Sequence, residues 1–107
     1  MANAIGYVNE TENGYEGALA MVNLSMPIRF SKNGDKSLDG QPDYRIYAGE
    51  TDTEIGGGWI KTAKGSGREY VSITLADPQI GPSRIYANLA PVKGHDGRHV
   101  ILWNPSQ

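Results

Sequence analysis

The feature that most constrains the fold is a pair of alternating segments on either side of a glycine turn, within residues 54–75. In the second segment Val71, Ile73 and Leu75 alternate with Tyr70, Ser72 and Thr74, and a period of two is typical of a half-buried β-strand. Residues 65–67 read Gly-Ser-Gly, and glycine tolerates the positive φ angles that tight turns require. Residues 59–64 and 68–75 are therefore predicted to form a hairpin, with the glycine triplet at 56–58 as its flexible start.

Similar alternation, bounded by turn signals, predicts further strands at residues 5–8, 15–24, 25–32, 44–48, 84–90 and 99–103. The pair Asn13-Gly14 is a strong hairpin signal between the first two of them. Residues 15–24 also fit a short helix, although Gly17 inside the segment favours a strand. Pro27 cannot donate a ladder hydrogen bond, so the strand at 25–32 is expected at an edge. Residues 99–103 are apolar on both faces, as in a strand covered on two sides.

These segments amount to about eight short strands and no clear helix. Glycine occurs 14 times in 107 residues, about twice its usual share of roughly 7%, and many tight turns would explain the excess. We expect an all-β, mainly antiparallel fold, either a small barrel or a sandwich. The length suits one domain over residues 1–107, with a structured core from 5 to 103.

The amino-acid composition limits which cellular environment and which class of binding partner we expect. The chain has no cysteine, so neither disulfides nor thiolate ligands hold it together. Neither a secretory leader nor a run of about 20 apolar residues is found, so we expect a cytoplasmic protein with no membrane partner. The net charge of −2 argues against a surface that is cationic throughout, while it leaves room for local basic patches.

Two loop motifs fail on their spacing. The glycine triplet before Lys61-Thr62 suggests a phosphate loop, but Ile60 stands where that loop needs a glycine before the lysine. Oxygen-bearing residues alternate as in a calcium loop at Asn33, Asp35, Ser37 and Asp39. Leu38 and Tyr44 replace the glycine and the bidentate glutamate that such a loop requires.

Metal and catalytic sites have little support. His95, Asp96 and His99 could supply nitrogen and oxygen to zinc, but two histidines without cysteine or a nearby glutamate are a thin ligand set. Neither histidine belongs to a recognisable nucleophile motif. We therefore expect no metal site, no cofactor and no catalytic residue.

One pattern recurs on three predicted strands. Arginine and tyrosine stand two residues apart at 45 and 47, 68 and 70, and 84 and 86, so each pair shares a strand face. Core residues occupy the alternate positions, which turns these faces outward. The candidate binding residues are Arg45, Tyr47, Lys61, Arg68, Tyr70, Arg84, Tyr86 and Asn88, and Thr74 could join them. Such a face could stack bases and pair with phosphates. Alternatively, each arginine lies over a tyrosine of a neighbouring strand as ordinary packing.

Several segments, in order along the chain, resemble the family of small bacterial proteins called domain of unknown function 736. They are Ile5-Gly6, Asn13-Gly14-Tyr15-Glu16-Gly17, Pro42-Asp43-Tyr44-Arg45-Ile46-Tyr47, Glu54-Ile55-Gly56-Gly57-Gly58-Trp59, Tyr70-Val71-Ser72-Ile73, Leu75 with Asp77-Pro78, Tyr86-Ala87-Asn88-Leu89 and Leu102-Trp103-Asn104. The resemblance implies a single-domain cytoplasmic protein whose gene accompanies plasmid and conjugative-transfer genes. It implies no activity, ligand or site residue. The loop at 31–41 is longer than the family's usual pattern, and many relatives continue past Trp103 with a charged tail.

The sequence thus favours a non-enzymatic binding or accessory module that acts through the Arg/Tyr face on a protein or on single-stranded nucleic acid. One alternative is a small enzyme that uses carboxylates, or His95 and His99, in a cleft. Another is an inhibitor or scaffold in which an exposed Trp59 or Trp103 anchors an interface.

Overall fold

A computed structural model describes residues 4–21, 24–34, 37–38, 40–49, 51–77 and 84–104. It contains eight strands, β1 (Ala4–Thr11), β2 (Gly14–Met21), β3 (Leu24–Lys32), β4 (Tyr44–Ala48), β5 (Glu54–Thr62), β6 (Glu69–Leu75), β7 (Ile85–Pro91) and β8 (Arg98–Trp103). None of the described residues is helical. The described part of the chain therefore contains no helix long and apolar enough to cross a membrane. The all-β prediction is confirmed, and the segment after Asn13-Gly14 is a strand and not a helix.

The strands form a closed antiparallel barrel in which each strand pairs with the next and β8 pairs back with β1. Closure resolves the choice between barrel and sandwich. The contact between the ends of the chain is extensive, since the β1–β8 ladder includes Gly6 opposite Ile101 and Val8 opposite His99. A barrel of eight strands is just wide enough for its own side chains to fill it.

Side chains at alternate positions of each strand point inward and fill the interior of the barrel. On β6 the predicted alternation holds, because Val71, Ile73 and Leu75 are buried and the residues between them are not. The most deeply buried large side chains come from five different strands: Val8, Leu19, Ile46, Ile73, Leu75 and Ile101. Burial of apolar area at roughly 25 cal/mol per Å² is the main stabilising term for such a core.

The glycine triplet lies inside β5, so the prediction of a flexible start to that strand was wrong. Ladder pairs place Gly56 opposite Leu75 and Gly58 opposite Ile73. A Cβ atom at Gly56 would overlap the carbonyl oxygen of Thr74. Glycine is therefore required here for close approach of β5 to β6 and not for a loose connection.

Pro27 lies within a strand that is paired on both sides, so the prediction of an edge position was wrong. Its carbonyl accepts the Gly49 amide at 2.6 Å, and an antiparallel pair of this kind normally returns an N–H to the same partner. Proline cannot return it, and Arg29 Nε instead donates to the Gly49 carbonyl at 3.2 Å. The barrel accommodates the proline because a neighbouring arginine satisfies that acceptor.

Other boundaries also differ from the prediction. The second strand ends at Met21, and Leu24 begins the third strand.

The strand at 99–103 is covered on one face only, since Ile101 is buried whereas Val100 and Leu102 are half-buried on the outside. In a barrel one face of every strand points outward, so the apolar character of both faces does not indicate burial on both sides. The turn at 65–67 is confirmed, with φ of 89° at Gly65 and 72° at Gly67.

Candidate functional site

The outer side of β4 to β7 collects most of the candidate binding residues. Lys61 stands directly opposite Tyr70 in the β5–β6 ladder. Asn88 stands opposite Ser72, and Tyr86 opposite Thr74, in the β6–β7 ladder. Residues opposite one another in an antiparallel ladder have Cβ atoms roughly 5 Å apart. These side chains therefore form one continuous surface and not isolated positions.

Arg45 joins this surface through a row that crosses four strands. The row runs from Tyr86 on β7 to Thr74, then to Gly57 on β5 and to Arg45 on β4. Gly57 contributes no side chain, so the row has a gap in the middle. A Cβ atom there would lie 3.2 Å from the Trp59 ring and 3.0 Å from Pro42.

Trp59 is therefore a member of the surface, although the sequence analysis treated it only as a possible interface anchor. It stands opposite Ser72, and its ring extends over Gly57. Its Nε1 donates a hydrogen bond of 3.0 Å to the Gly40 carbonyl, which fixes one edge of the indole. Its place two residues before Lys61, on the same strand face, was the signal that could have found it. We call Arg45, Trp59, Lys61, Tyr70, Tyr86 and Asn88 the aromatic–basic face.

Two of the predicted residues are engaged in local contacts. Arg45 donates to Asn33 Oδ1 at 3.2 Å and to Glu54 Oε1 at 3.5 Å. The ring of Tyr47 is covered by the guanidinium of Arg29, whose Cζ lies 4.5 Å from the ring centroid. The arginine over Tyr47 thus comes from the neighbouring strand β3 and is not one of the three arginines in the recurring pattern. Arg98 over Tyr7 forms a second such pair, at 5.0 Å.

The remaining two arginines are not brought together. Arg68 directly precedes β6 and Arg84 directly precedes β7, and both are exposed. Because β6 and β7 are antiparallel, these residues lie at opposite ends of the barrel. Among the described residues, Lys61, Arg68 and Arg84 form no ion pair.

The residues weighed as metal ligands do not converge. His95 and Asp96 are exposed in the turn before β8, whereas His99 lies within that strand. Within the described ranges no three or more His, Cys, Asp or Glu side chains are grouped as a metal site. In the calcium-like loop Asn33 donates to the Pro42 carbonyl, and the Ser37 amide donates to Gln41 Oε1. Asp35 and Asp39 lie outside the described residues.

A cavity of about 260 Å³ lies at one end of the barrel interior. Its ionisable and aromatic lining consists of Tyr15, Tyr44, Glu69, Tyr70 and His99. Tyr70 lines it although the alternation assigns this residue to the outside, and it is the second residue of β6, close to the end of that strand. The sequence analysis did not single out Tyr15 or Tyr44 as a binding residue.

The environment of Tyr15 keeps its phenol protonated. Burial, together with smaller contributions from the nearby Tyr44 and Glu10 side chains, raises the pKa of Tyr15 from 10.0 to about 12. A charged phenolate is disfavoured because this site is poorly solvated and lies beside other acidic groups. Tyr15 is therefore a neutral hydrogen-bonding group and not a base or nucleophile at neutral pH.

Comparison with known proteins defines the family. The family model described as "Protein of unknown function (DUF736)" matches residues 4–106. The chain belongs to the DUF736 family. The match spans all eight strands, so the family resemblance expected from the sequence is confirmed. No curated protein and no solved structure gives a significant match. Membership in DUF736 brings no known activity or site residue, and the function has to be argued from the barrel itself.

Proposed function

We propose that this protein is a non-enzymatic binding module that holds single-stranded nucleic acid on its aromatic–basic face. The supporting observation is the continuity of that face across β4 to β7. Lys61 adjoins Tyr70, Trp59 adjoins Ser72, and Tyr86 shares a row with Arg45. Aromatic rings offer stacking platforms to bases, and arginine and lysine pair with the phosphates between them.

The dimensions and charges of the face agree with this proposal. From strand spacing of about 4.8 Å and a rise of about 3.3 Å per residue, the face spans roughly 14 Å in each direction. Lys61, together with Arg68 and Arg84 beyond the face, has no carboxylate partner among the described residues. Arg45 contributes less, because Glu54 already neutralises part of its charge. Binding is expected to be weak and sensitive to salt.

The absence of catalytic function is part of the proposal. Tyr15 stays protonated, and His95 lies apart from the cavity that His99 lines.

A protein partner is the second candidate, since Trp103 is 39% exposed. Trp59 is a weaker anchor because its indole is half-buried and hydrogen-bonded to the loop before β4. We further propose a cytoplasmic location and an accessory role in plasmid or conjugative-element functions, as the family resemblance implies.

A nuclear magnetic resonance titration tests the proposal. A thymidine oligonucleotide of about 10 nucleotides falls within the roughly 4–16 that one small barrel covers. At about 50 mM salt we expect shifts at Trp59, Lys61, Tyr70 and Tyr86, and at about 200 mM salt much weaker binding. The absence of any shift at low salt would contradict the nucleic-acid proposal.

Matched variants locate the binding surface. Tyr86→Ser should weaken binding by about 1–3 kcal/mol if a base stacks on the ring. The control is Tyr7→Ser, which removes an exposed tyrosine from β1, outside the aromatic–basic face. Equal effects of the two substitutions would show that the oligonucleotide does not use the aromatic–basic face.

A further inference from the structure

A cluster of aromatic rings forms part of the lining of the cavity at the end of the barrel. Tyr15 is its centre, with the ring centroid of Tyr44 at 5.5 Å and that of His99 at 5.3 Å. The two neighbouring rings are inclined to Tyr15 by 63° and 83°. Centroid distances and angles of this kind are typical of rings packed edge to face, and Tyr70 adds a further aromatic residue to the lining.

Basic side chains stand next to lining residues without lining the cavity themselves, since Lys61 follows Ile60, Arg68 precedes Glu69 and Arg98 precedes His99. Glu69 lines the cavity, and Glu10 lies close enough to Tyr15 to raise the pKa of its phenol. None of the lining residues is a lysine or an arginine. Lys32 stands opposite Tyr44 in the β3–β4 ladder, but it is exposed and outside the lining. Among the described lining residues, the Glu69 carboxylate is thus the charge that a bound group meets directly.

The rest of the lining is apolar. Val71 and Leu89 are buried core residues, and Ile60 and Pro91 are exposed at the rim. A ligand group here must tolerate contact with aliphatic carbon on one side and with aromatic faces and a carboxylate on the other. A cavity of about 150 Å³ can hold benzene, so 260 Å³ leaves room for a group of that size and part of its attached chain.

We propose that this cavity binds a methylated ammonium group, held by the tyrosine rings and the Glu69 carboxylate. Cations are attracted to the faces of aromatic rings, and quaternary ammonium groups combine that charge with apolar methyl surfaces. A neutral ligand would gain nothing from Glu69. The cavity shares Tyr70 with the aromatic–basic face, and its other described lining residues do not belong to that face.

Choline and its uncharged carbon analogue 3,3-dimethylbutan-1-ol provide a matched test, because they share shape and hydroxyl group and differ in charge. Choline chloride should give saturable shifts at Val71, Leu89 and the His99 ring, measured against sodium chloride at the same concentration. The alcohol should bind at least tenfold more weakly. Equal binding of the two compounds, or no saturable shift with choline, would overturn the proposal.

A substitution separates the cavity from general surface charge. Glu69→Gln should lower the affinity for choline about three- to tenfold, and because Glu69 is exposed the barrel should remain folded. Glu16→Gln makes the same charge change at an exposed position on β2 outside this cavity, and it should leave choline binding unchanged. Equal losses in both variants would contradict a site at Glu69.

Two sources could supply the same group. A peptide with a trimethyllysine can be compared with the unmethylated peptide and with free choline. Tighter binding of the trimethylated peptide than of choline would assign the cavity to a modified protein, and equal binding would assign it to a small free molecule. The proposal fails if the unmethylated peptide binds as well as the methylated one.

Discussion

The guanidinium of Arg29 lies over the ring of Tyr47, with Cζ 4.5 Å from the ring centroid. The same side chain donates to the carbonyls of Gly49 and Thr51, at 3.2 and 3.0 Å. It therefore joins β3 to β4 and to the loop that follows β4. Because Pro27 leaves the Gly49 carbonyl without a ladder partner, this arginine supports the barrel where Pro27 meets the end of β4.

We expect Arg29→Ala to lower the free energy of unfolding by about 1–3 kcal/mol, since it removes hydrogen bonds from a charged donor and a cation–π contact. Arg29→Lys should restore little of this loss, because an ammonium cannot reproduce the planar fork of donors. Arg98→Ala is the control. Arg98 lies 5.0 Å from the Tyr7 ring, and its loss should cost about 0.5–1 kcal/mol. Urea unfolding measures all three, and equal losses at the two arginines would contradict the bridging role.

A second prediction concerns Gly17 on β2. A Cβ atom there would overlap the carbonyl oxygen of Tyr7 and lie 2.6 Å from the Cα of Val8, both on β1. Backbone atoms of a central ladder cannot move aside cheaply, so Gly17→Ala should lower the melting temperature and destabilise the barrel by about 1–3 kcal/mol or more.

Gly34→Ala is the matched control for that substitution. A Cβ atom at Gly34 would meet nothing within 4 Å, so this variant should differ from the parent by less than about 0.5 kcal/mol. If both variants unfolded at the same temperature, close approach of β1 and β2 would not be the reason for glycine at position 17.

The alternation of side chains made much of this fold predictable. On β4 and β6 the residues assigned to the core are buried or packed against it, among them Ile46 and Ile73, because a period of two is a local property of an extended chain. Closure was not predictable, since it depends on the pairing of β1 with β8, which are far apart in the sequence. The glycine triplet and Pro27 were misjudged for a related reason. The carbonyl of Thr74 on β6 limits the space at Gly56. The side chain of Arg29 satisfies the Gly49 carbonyl that Pro27 leaves without a donor.

Part of the candidate site could likewise be predicted from the sequence, and part of it could not. That Lys61, Tyr70 and Tyr86 share an outward face follows from alternation alone. The separation of Arg68 from Arg84 requires knowledge of where antiparallel strands begin. The cavity was missed because Tyr15 and His99 are 84 positions apart in the numbering, and only the closed barrel places their rings 5.3 Å apart.

A third prediction tests the closure of the barrel. Ile101 on β8 is fully buried and stands opposite Gly6 on β1 and Leu89 on β7. Ile101→Ala should destabilise the protein by about 2–5 kcal/mol, because it opens a cavity in the core. Val100→Ala truncates the adjacent, half-buried outer residue and should cost less than half as much. Chemical unfolding distinguishes them, and comparable losses would argue against a packed interior at β8.

The last prediction uses the raised pKa of Tyr15, about 12 in the folded protein against 10.0 for an ordinary tyrosine. The unfolded chain releases the phenolic proton first, so between pH 10 and 12 the unfolded state is favoured progressively. The stabilisation is fully present below pH 10 and is lost as the pH rises through the folded value. In Tyr15→Phe this contribution to the pH dependence is absent. The unfolding free energy of the parent minus that of the variant should therefore fall as the pH rises from 10 to 12. A difference that stayed constant from pH 8 to 12 would show that Tyr15 titrates normally.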